Sequence, residues 1–337
     1  MCAAEAVTSA RAAGKRALAA ALRLSGIVAR RRQRPGLVIL MLHKVNDRPD
    51  PLPLTLAPAL LAAVLAEIRR HHEVLDLAQL EDMPEGQGLC FALTFDDGYR
   101  DNYEQAFPLL RRCRVPATIF LSLDHINGRR RFWYEHLAAL LEGSAQPLLE
   151  LSDAGLGRHP LSSAAERRAT LWHLNQRLKD FSDAEREALL ARCAQRLDVT
   201  APSRVSPMLD WAMIAEMAAA GVSFGSHTLS HPILSRESPE RVREEVWQSK
   251  AELESRLGQP VRTFAYPNGG PADYTAAVVA EVRAAGYRLA CTTVPGINDR
   301  STDPFQLRRI NLHNGMCSDA QGRFLPDLFW AKTLNLM

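Results

Sequence analysis

The chain has 337 residues, of which 47% are hydrophobic and 23% charged. That balance is ordinary for a globular protein with one sizeable core and an insertion, and it excludes a disordered chain. The formal net charge of +3 is too small to argue for a nucleic-acid partner, and no nucleic-acid motif accompanies the basic residues that crowd the amino terminus.

Those residues, Arg11, Lys15, Arg16, Arg23 and Arg30-Arg31-Arg32, flank an alanine-rich apolar run from Ala17 to Val28. Arg23 interrupts the run, and no small-residue cleavage site leads into a polar mature start, which argues against a secretory signal. We expect residues 1–34 to form a basic amphipathic helix. Its Leu18, Leu22 and Leu24 either lie against an anionic membrane surface or pack on the domain. No other stretch approaches the length of a membrane span. The six cysteines (Cys2, Cys90, Cys113, Cys193, Cys291 and Cys317) are scattered without a Cys-x-x-Cys pair, as in a reduced chain. The expected location is cytoplasmic, with peripheral contact at the inner face of the membrane left open.

Pro35-Gly36 breaks the chain, and Val38 to Leu42 reads as a first core strand with His43 directly at its end. Leu60, Leu61, Val64, Leu65 and Ile68 recur at helical spacing and predict a helix over 56–71, followed by a short strand over 72–77. Leu89 to Phe95 is apolar but for Thr94, which predicts a strand buried on both faces. It stops at Asp96-Asp97. A helix over 102–112 and an apolar strand over 115–123 complete a βαβ unit, so the sheet is mostly parallel.

Residues 126–205 break this alternation. Two capping boxes, Ser163 with Glu166 and Ser182 with Glu185, open helices over 164–180 and 183–197. This segment is expected to be an α-helical insertion. Its aromatics Phe132, Trp133 and Tyr134 either pack it onto the body or stack on sugar rings. The alternation then resumes. Helix 210–220 is ended by Gly221 and strand 222–224 follows; a helix starts at Ser238-Pro239 and ends at Gly258; strand 264–266, helix 273–285 and strand 287–293 come next. Residues 321–337 read as a tail. At least five strand-to-helix alternations in one direction argue for an α/β barrel.

Neighbouring carboxylates repel, so a site that keeps both Asp96 and Asp97 must supply a cation, hydrogen bonds, or a proton on one of them. Alone, Asp97-Gly98 reads as readily as a turn. Later in the chain, Gly225 to His231 carries His227 and His231, which meet on one face if the segment turns helically. Two neutral nitrogens and one carboxylate suit a catalytic zinc-type site with a position open to water. One acid is left over. His43 shares the address at a strand's carboxyl end and is an acid/base candidate, or a structural histidine.

Thr94-Phe95-Asp96-Asp97-Gly98-Tyr99 resembles the first motif of the polysaccharide deacetylases of the NodB-homology type, carbohydrate esterase family 4. Ser226 to His231 is similar to that family's second motif, and Arg262 to Gly269, with Phe264-Ala265-Tyr266-Pro267, to its third. The resemblance implies a distorted, incomplete (β/α) barrel formed by 35–125 and 206–320. It implies Asp96 as catalytic base, Asp97, His227 and His231 as ligands of a divalent metal of the Zn2+ kind, Tyr266 at the oxyanion, and Arg262 as partner of the base. The family's late Leu-x-His is absent. Leu307 to His313 stands near its place, making His313 and His43 rival general acids and Arg309 an alternative partner for Asp96. The implied activity is removal of an N-acetyl group from an amino sugar of a glycan or glycolipid precursor. Deacylation of another acylated sugar or a non-sugar amide, and a catalytically silent glycan-binding protein, are the alternatives.

Overall fold

A computed structural model describes residues 14–84, 88–128, 130–199 and 206–337. Among the described residues, eight parallel strands form the central sheet: β1 (Gly36–Leu42), β2 (Val74–Leu75), β3 (Leu89–Phe95), β4 (Thr118–Leu121), β5 (Ser223–Ser226), β6 (Thr263–Ala265), β7 (Leu289–Cys291) and β8 (Ile310–Asn311). They lie in the order β7-β6-β5-β4-β3-β1-β8, with β2 paired to β3 near its amino end. The sheet curls on itself because the segment that contains β8 bonds at both edges. Leu307 N–H donates to Ala290 O and Thr292 N–H to Leu307 O on the β7 side, while Leu312 N–H donates to Met41 O on the β1 side. The result is the distorted, incomplete (β/α) barrel that the alternation and the resemblance imply.

Strand periodicity divides the core. Val38, Leu40 and Leu42 of β1 and Phe91, Leu93 and Phe95 of β3 pack outward under the helices. Leu37, Ile39, Ala92, Phe120, Ala265, Cys291 and Leu307 fill the inside of the curl. On that inner face the two-residue repeat continues from Ala92 through Thr94 to Asp96, and from Ile39 through Met41 to His43. The expected helix over 102–112 begins with a wide π turn, Asn102–Ala106, before Phe107–Cys113. Pro108 explains it, since proline has no N–H to give the carbonyl four residues back.

The segment between β4 and β5 carries helices Trp133–Gly143, Ala164–Arg177 and Asp183–Leu197, and both capping boxes form. It is not all helical, as expected from the capping signals; an antiparallel hairpin, Leu148–Leu151 with Gly157–Pro160, lies between the first two helices. Its side chains form a cluster of their own around Leu137, Leu140, Leu149, Leu174 and Leu190, and Tyr99 of the barrel joins that cluster. Phe132, Trp133 and Tyr134 are buried in it, so they pack rather than present free faces to a sugar.

Of the expected helix over 1–34, residues 1–13 lie outside the described residues, while 14–24 and Ile27–Arg32 are helical. Ala19 packs against Leu328 and Ala331, whereas Leu18, Leu24 and Ile27 are exposed. The expected tail is instead a docked helix, Pro326–Thr333, with Phe329 and Trp330 buried and the Arg32 guanidinium 4.0 Å above the Trp330 ring. No helix among the described residues is long and apolar enough to cross a membrane.

One close approach positions the site. A Cβ added at Gly225 in β5 would lie 2.5 Å from Thr263 Oγ1 and 2.6 Å from the Phe120 ring, both fully buried. Gly225→Ala is expected to lower stability in urea unfolding by about 1–3 kcal/mol, the cost of overpacking a closed core; a loss near zero would show that β5 can move away from its neighbours.

Candidate metal centre

Ladder bonds run to the rim of the barrel, with Asp96 N–H donating to Leu42 O and His227 N–H to Leu121 O, each at 2.9 Å. Asp96 continues the inward repeat of β3 and meets Arg309, brought across by the closing segment. The contact is bidentate, Nη1 to Oδ1 at 2.7 Å and Nη2 to Oδ2 at 2.8 Å. Arg309 is itself fixed by Nε donating to Thr292 O at 2.7 Å and by Thr94 Oγ1 at 3.2 Å. Burial would raise the Asp96 carboxyl, but the guanidinium outweighs it and holds the group below the usual carboxylate range.

Asp97, next in sequence, would point away from the interior if the strand continued. Its φ of 76° re-aims it. That left-handed conformation is uncommon outside glycine, and non-glycine residues that adopt it cluster at functional sites. Oδ1 lies 3.6 Å from His227 Nε2 and 3.5 Å from His231 Nε2, and Oδ2 accepts from Tyr134 O–H at 2.8 Å.

His227 and His231 converge, but not on a helix as the spacing suggested. The loop after β5 folds back through left-handed residues at Thr228 (φ 69°) and His231 (φ 59°). Glu245 holds it there. This buried carboxylate accepts from Leu229 N–H at 2.7 Å and Ser230 N–H at 3.0 Å, and Arg241 reaches it at 2.6 Å. His227 Nδ1 sits 2.7 Å from Ala265 O. A carbonyl only accepts, so Nδ1 carries the proton and Nε2 keeps its lone pair toward Asp97.

The donor set fits a divalent cation. The three ligand atoms lie within 4.8 Å of one another, and all three residues are buried. Tetrahedral zinc with bonds of about 2.0–2.1 Å separates its ligands by roughly 3.4 Å, close to the two Asp97–histidine distances. Asp97 Oδ1 is buried without a hydrogen-bond partner. With protein alone around it, burial and the neighbouring Asp96 push the Asp97 carboxyl up to about 8, and burial lowers both histidines. Three groups held neutral at one point make a set of ligands for a charge supplied from outside.

The other sequence candidates separate. His43 is at the site, with Asp96, Arg309 and His227 as neighbours; burial lowers it to about 4, and its Nδ1 has no partner. His313 is one strand over, but its ring lies against Gly315 and its charged neighbour is Lys332. Tyr266 has no donor left for an oxyanion, because its N–H donates to Cys291 O and its hydroxyl to Phe305 O, each at 3.0 Å. Arg262 is exposed at the amino end of β6, away from the rim, so Arg309 takes the contact with Asp96 that the third motif would give Arg262. Two contributors were not foreseen. Glu245 was legible, because it sits at helical spacing with Val242, Val246 and Ser249 on the buried face of Pro239–Leu257. Tyr134 gave no signal beyond its aromatic neighbours.

The polysaccharide deacetylase family model matches residues 85–290. Among curated proteins, YxkH of Bacillus subtilis strain 168, which carries the name of a polysaccharide deacetylase, is 22% identical over 239 residues, 71% of this chain and 57% of YxkH. The chain thus spans little more than half the length of that relative. Similar solved structures include the Streptococcus pyogenes deacetylase PplD in complex with acetate, at a TM-score of 0.57 and 19% identity over 89% of this chain and 99% of that one. IcaB from Ammonifex degensii has a TM-score of 0.56 and 20% identity over 84% of this chain and 94% of its own. At these identities the likeness is one of fold. Because the family model takes in more than half of the residues, with both acids and both histidines inside it, the chain belongs to the polysaccharide deacetylase family.

Proposed function

We propose that the protein is a metal-dependent hydrolase that removes an N-acetyl group from an amino sugar of a glycan or lipid-linked glycan precursor. Family membership supports deacetylation of a sugar. The observation that carries the finer reading is the division of labour between two adjacent acids, one turned to two histidines and the other held by an arginine. That complete set of groups speaks against a silent glycan-binding module.

Asp97, His227 and His231 would hold the cation, and their donor types suit zinc. When bound, such an ion polarises the amide carbonyl as a Lewis acid and lowers the pKa of a bound water toward neutrality. Asp96 would serve as general base, accepting a proton from the attacking water. The Arg309 fork keeps Asp96 ionised and fixes the plane of its carboxylate, while each oxygen retains a lone pair for the proton. An amine leaves only when protonated, and of the two rival imidazoles we assign delivery of that proton to His43, which is at the site. Because burial lowers it to about 4, it would take up a proton during the reaction before passing it on. His313 is set aside, since its ring is turned onto Gly315.

A cytoplasmic setting belongs to this reading, supported by five described cysteines that are all free. Contact with a membrane surface is supported by the exposed Leu18, Leu24 and Ile27 beside Lys15, Arg16, Arg30 and Arg31.

The purified chain is expected to release acetate from N-acetylglucosamine oligomers, to lose that activity to a chelator and to regain it with Zn2+. Asp96→Asn should lower kcat by about 10²–10⁴-fold, the usual contribution of a general base. Binding of the oligomers by folded, metal-loaded protein without acetate release would identify a silent module instead.

The Arg309–Asp96 pair gives a stability prediction. Arg309→Met leaves a buried carboxylate without a counterion and should cost about 3–5 kcal/mol in urea unfolding. The double variant Asp96→Asn/Arg309→Met should recover part of that loss, because an amide needs no countercharge. An equal loss in both would show that Arg309 contributes packing alone.

A further inference from the structure

The barrel supplies all three groups of the candidate metal centre, yet a residue outside the barrel holds one of them. Tyr134 lies in the first turn of Trp133–Gly143, the opening helix of the segment between β4 and β5. Its hydroxyl donates to Asp97 Oδ2 at 2.8 Å. We propose that Tyr134 is a positioning residue for Asp97, so that the insertion sets the affinity of the centre for its cation. The proposal rests on the reading of Asp97, His227 and His231 as ligands.

A carboxylate offers two equivalent oxygens, and rotation about its last torsion exchanges them. The Tyr134 hydrogen bond breaks that equivalence, tying down Oδ2 and leaving Oδ1 toward His227 and His231. Support for the two imidazoles is uneven. His227 is oriented by Ala265 O, whereas His231 Nδ1 is buried without a partner. The His231 ring is held instead by edge contacts with Phe132, at 5.1 Å between ring centres, and Tyr134, at 6.2 Å. Two of the three ligands therefore take their orientation from residues 132–134.

The Tyr134 hydroxyl is itself fixed. Its one proton is on Asp97, so at the 2.9 Å contact with Tyr99 O–H the proton must come from Tyr99. Both tyrosines are buried, so neither hydroxyl has water to turn to instead. The Tyr99 ring lies under Lys44, whose Nζ is 4.8 Å from the ring centre. Lys44 in turn pairs with Glu135 at 2.6 Å. Consecutive residues of the helix thus dock on two strand ends, Tyr134 after β3 and Glu135 after β1. The helix cannot shift without breaking both contacts.

The test is Zn2+ affinity of the full chain, measured by competition with a chromophoric chelator, together with the visible spectrum of the Co2+-substituted protein. Tyr134→Phe keeps the ring and removes the hydrogen bond; it should weaken Zn2+ binding by about 10–100-fold, the usual cost of losing a partner of a metal ligand, and alter the Co2+ bands. Tyr99→Phe should weaken binding in the same direction by less. Asp97→Asn should weaken it more than either. Affinity of Tyr134→Phe within about twofold of wild type, with an unchanged Co2+ spectrum and a strong effect of Asp97→Asn, overturns the proposal. Wild-type affinity in Asp97→Asn overturns the ligand reading beneath it. Should Tyr134→Phe fail to fold, an unchanged affinity in Tyr99→Phe overturns the proposal in its place.

Discussion

Two carboxylates on consecutive residues, both excluded from water, repel each other strongly and each needs its own compensation. Much of the molecule follows from how that is met. Asp96 is neutralised by Arg309, a residue 213 positions later in the chain that reaches the interior because the closing segment bonds both edges of the curled sheet. The contact that accompanies closure of the barrel is therefore also the one that holds the Asp96 carboxyl low. Among the described residues, no lysine or arginine pairs with Asp97. It turns instead to two imidazoles whose own charging is opposed by burial, and that asymmetry gives the two neighbouring acids opposite surroundings.

Holding this arrangement requires backbone that the residues themselves disfavour. Asp97, Thr228 and His231 are all left-handed, and a β-branched threonine is especially poor there. The loop persists because its N–H groups have a committed acceptor in Glu245, a buried carboxylate further fixed by Arg241. Such strain is tolerated where the surrounding bonds over-determine the conformation. A rigid helix thus supplies the stiffness that a loop of seven residues lacks, and it does so from the outer face of the barrel.

Much of this was legible in the residues. Apolar runs ending in acids or histidines located the strand ends, and both capping boxes placed the helix starts correctly. The contact of Arg309 with Asp96 stood only as an alternative, because no spacing rule links residues that meet through barrel closure. Arg262 was the wrong choice for the same reason: its motif position matches, but it lies at the opposite end of its strand. Helical convergence of His227 and His231 was a sound inference from spacing that failed because left-handed residues achieve the same approach without a helix. Tyr266 was attractive by motif, and its donors proved to be spent on the ladder and on Phe305. The hairpin at 148–160 was missed because Leu148–Leu151 is too short for a clear alternation.

The division between barrel and insertion has a chemical consequence. Asp96, Asp97, His43 and His227 sit directly after strands of the sheet and Arg309 on its closing segment, whereas His231 lies farther along the loop that Glu245 holds. Residues 132–135 touch that set only through side chains, at Asp97, His231 and Lys44. Under the proposed assignments, a change in the insertion would adjust how Asp97 and His231 are held while leaving the Asp96–Arg309 pair untouched. The rim of the barrel thus places the candidate groups, and a helix that leans on it steadies two of them.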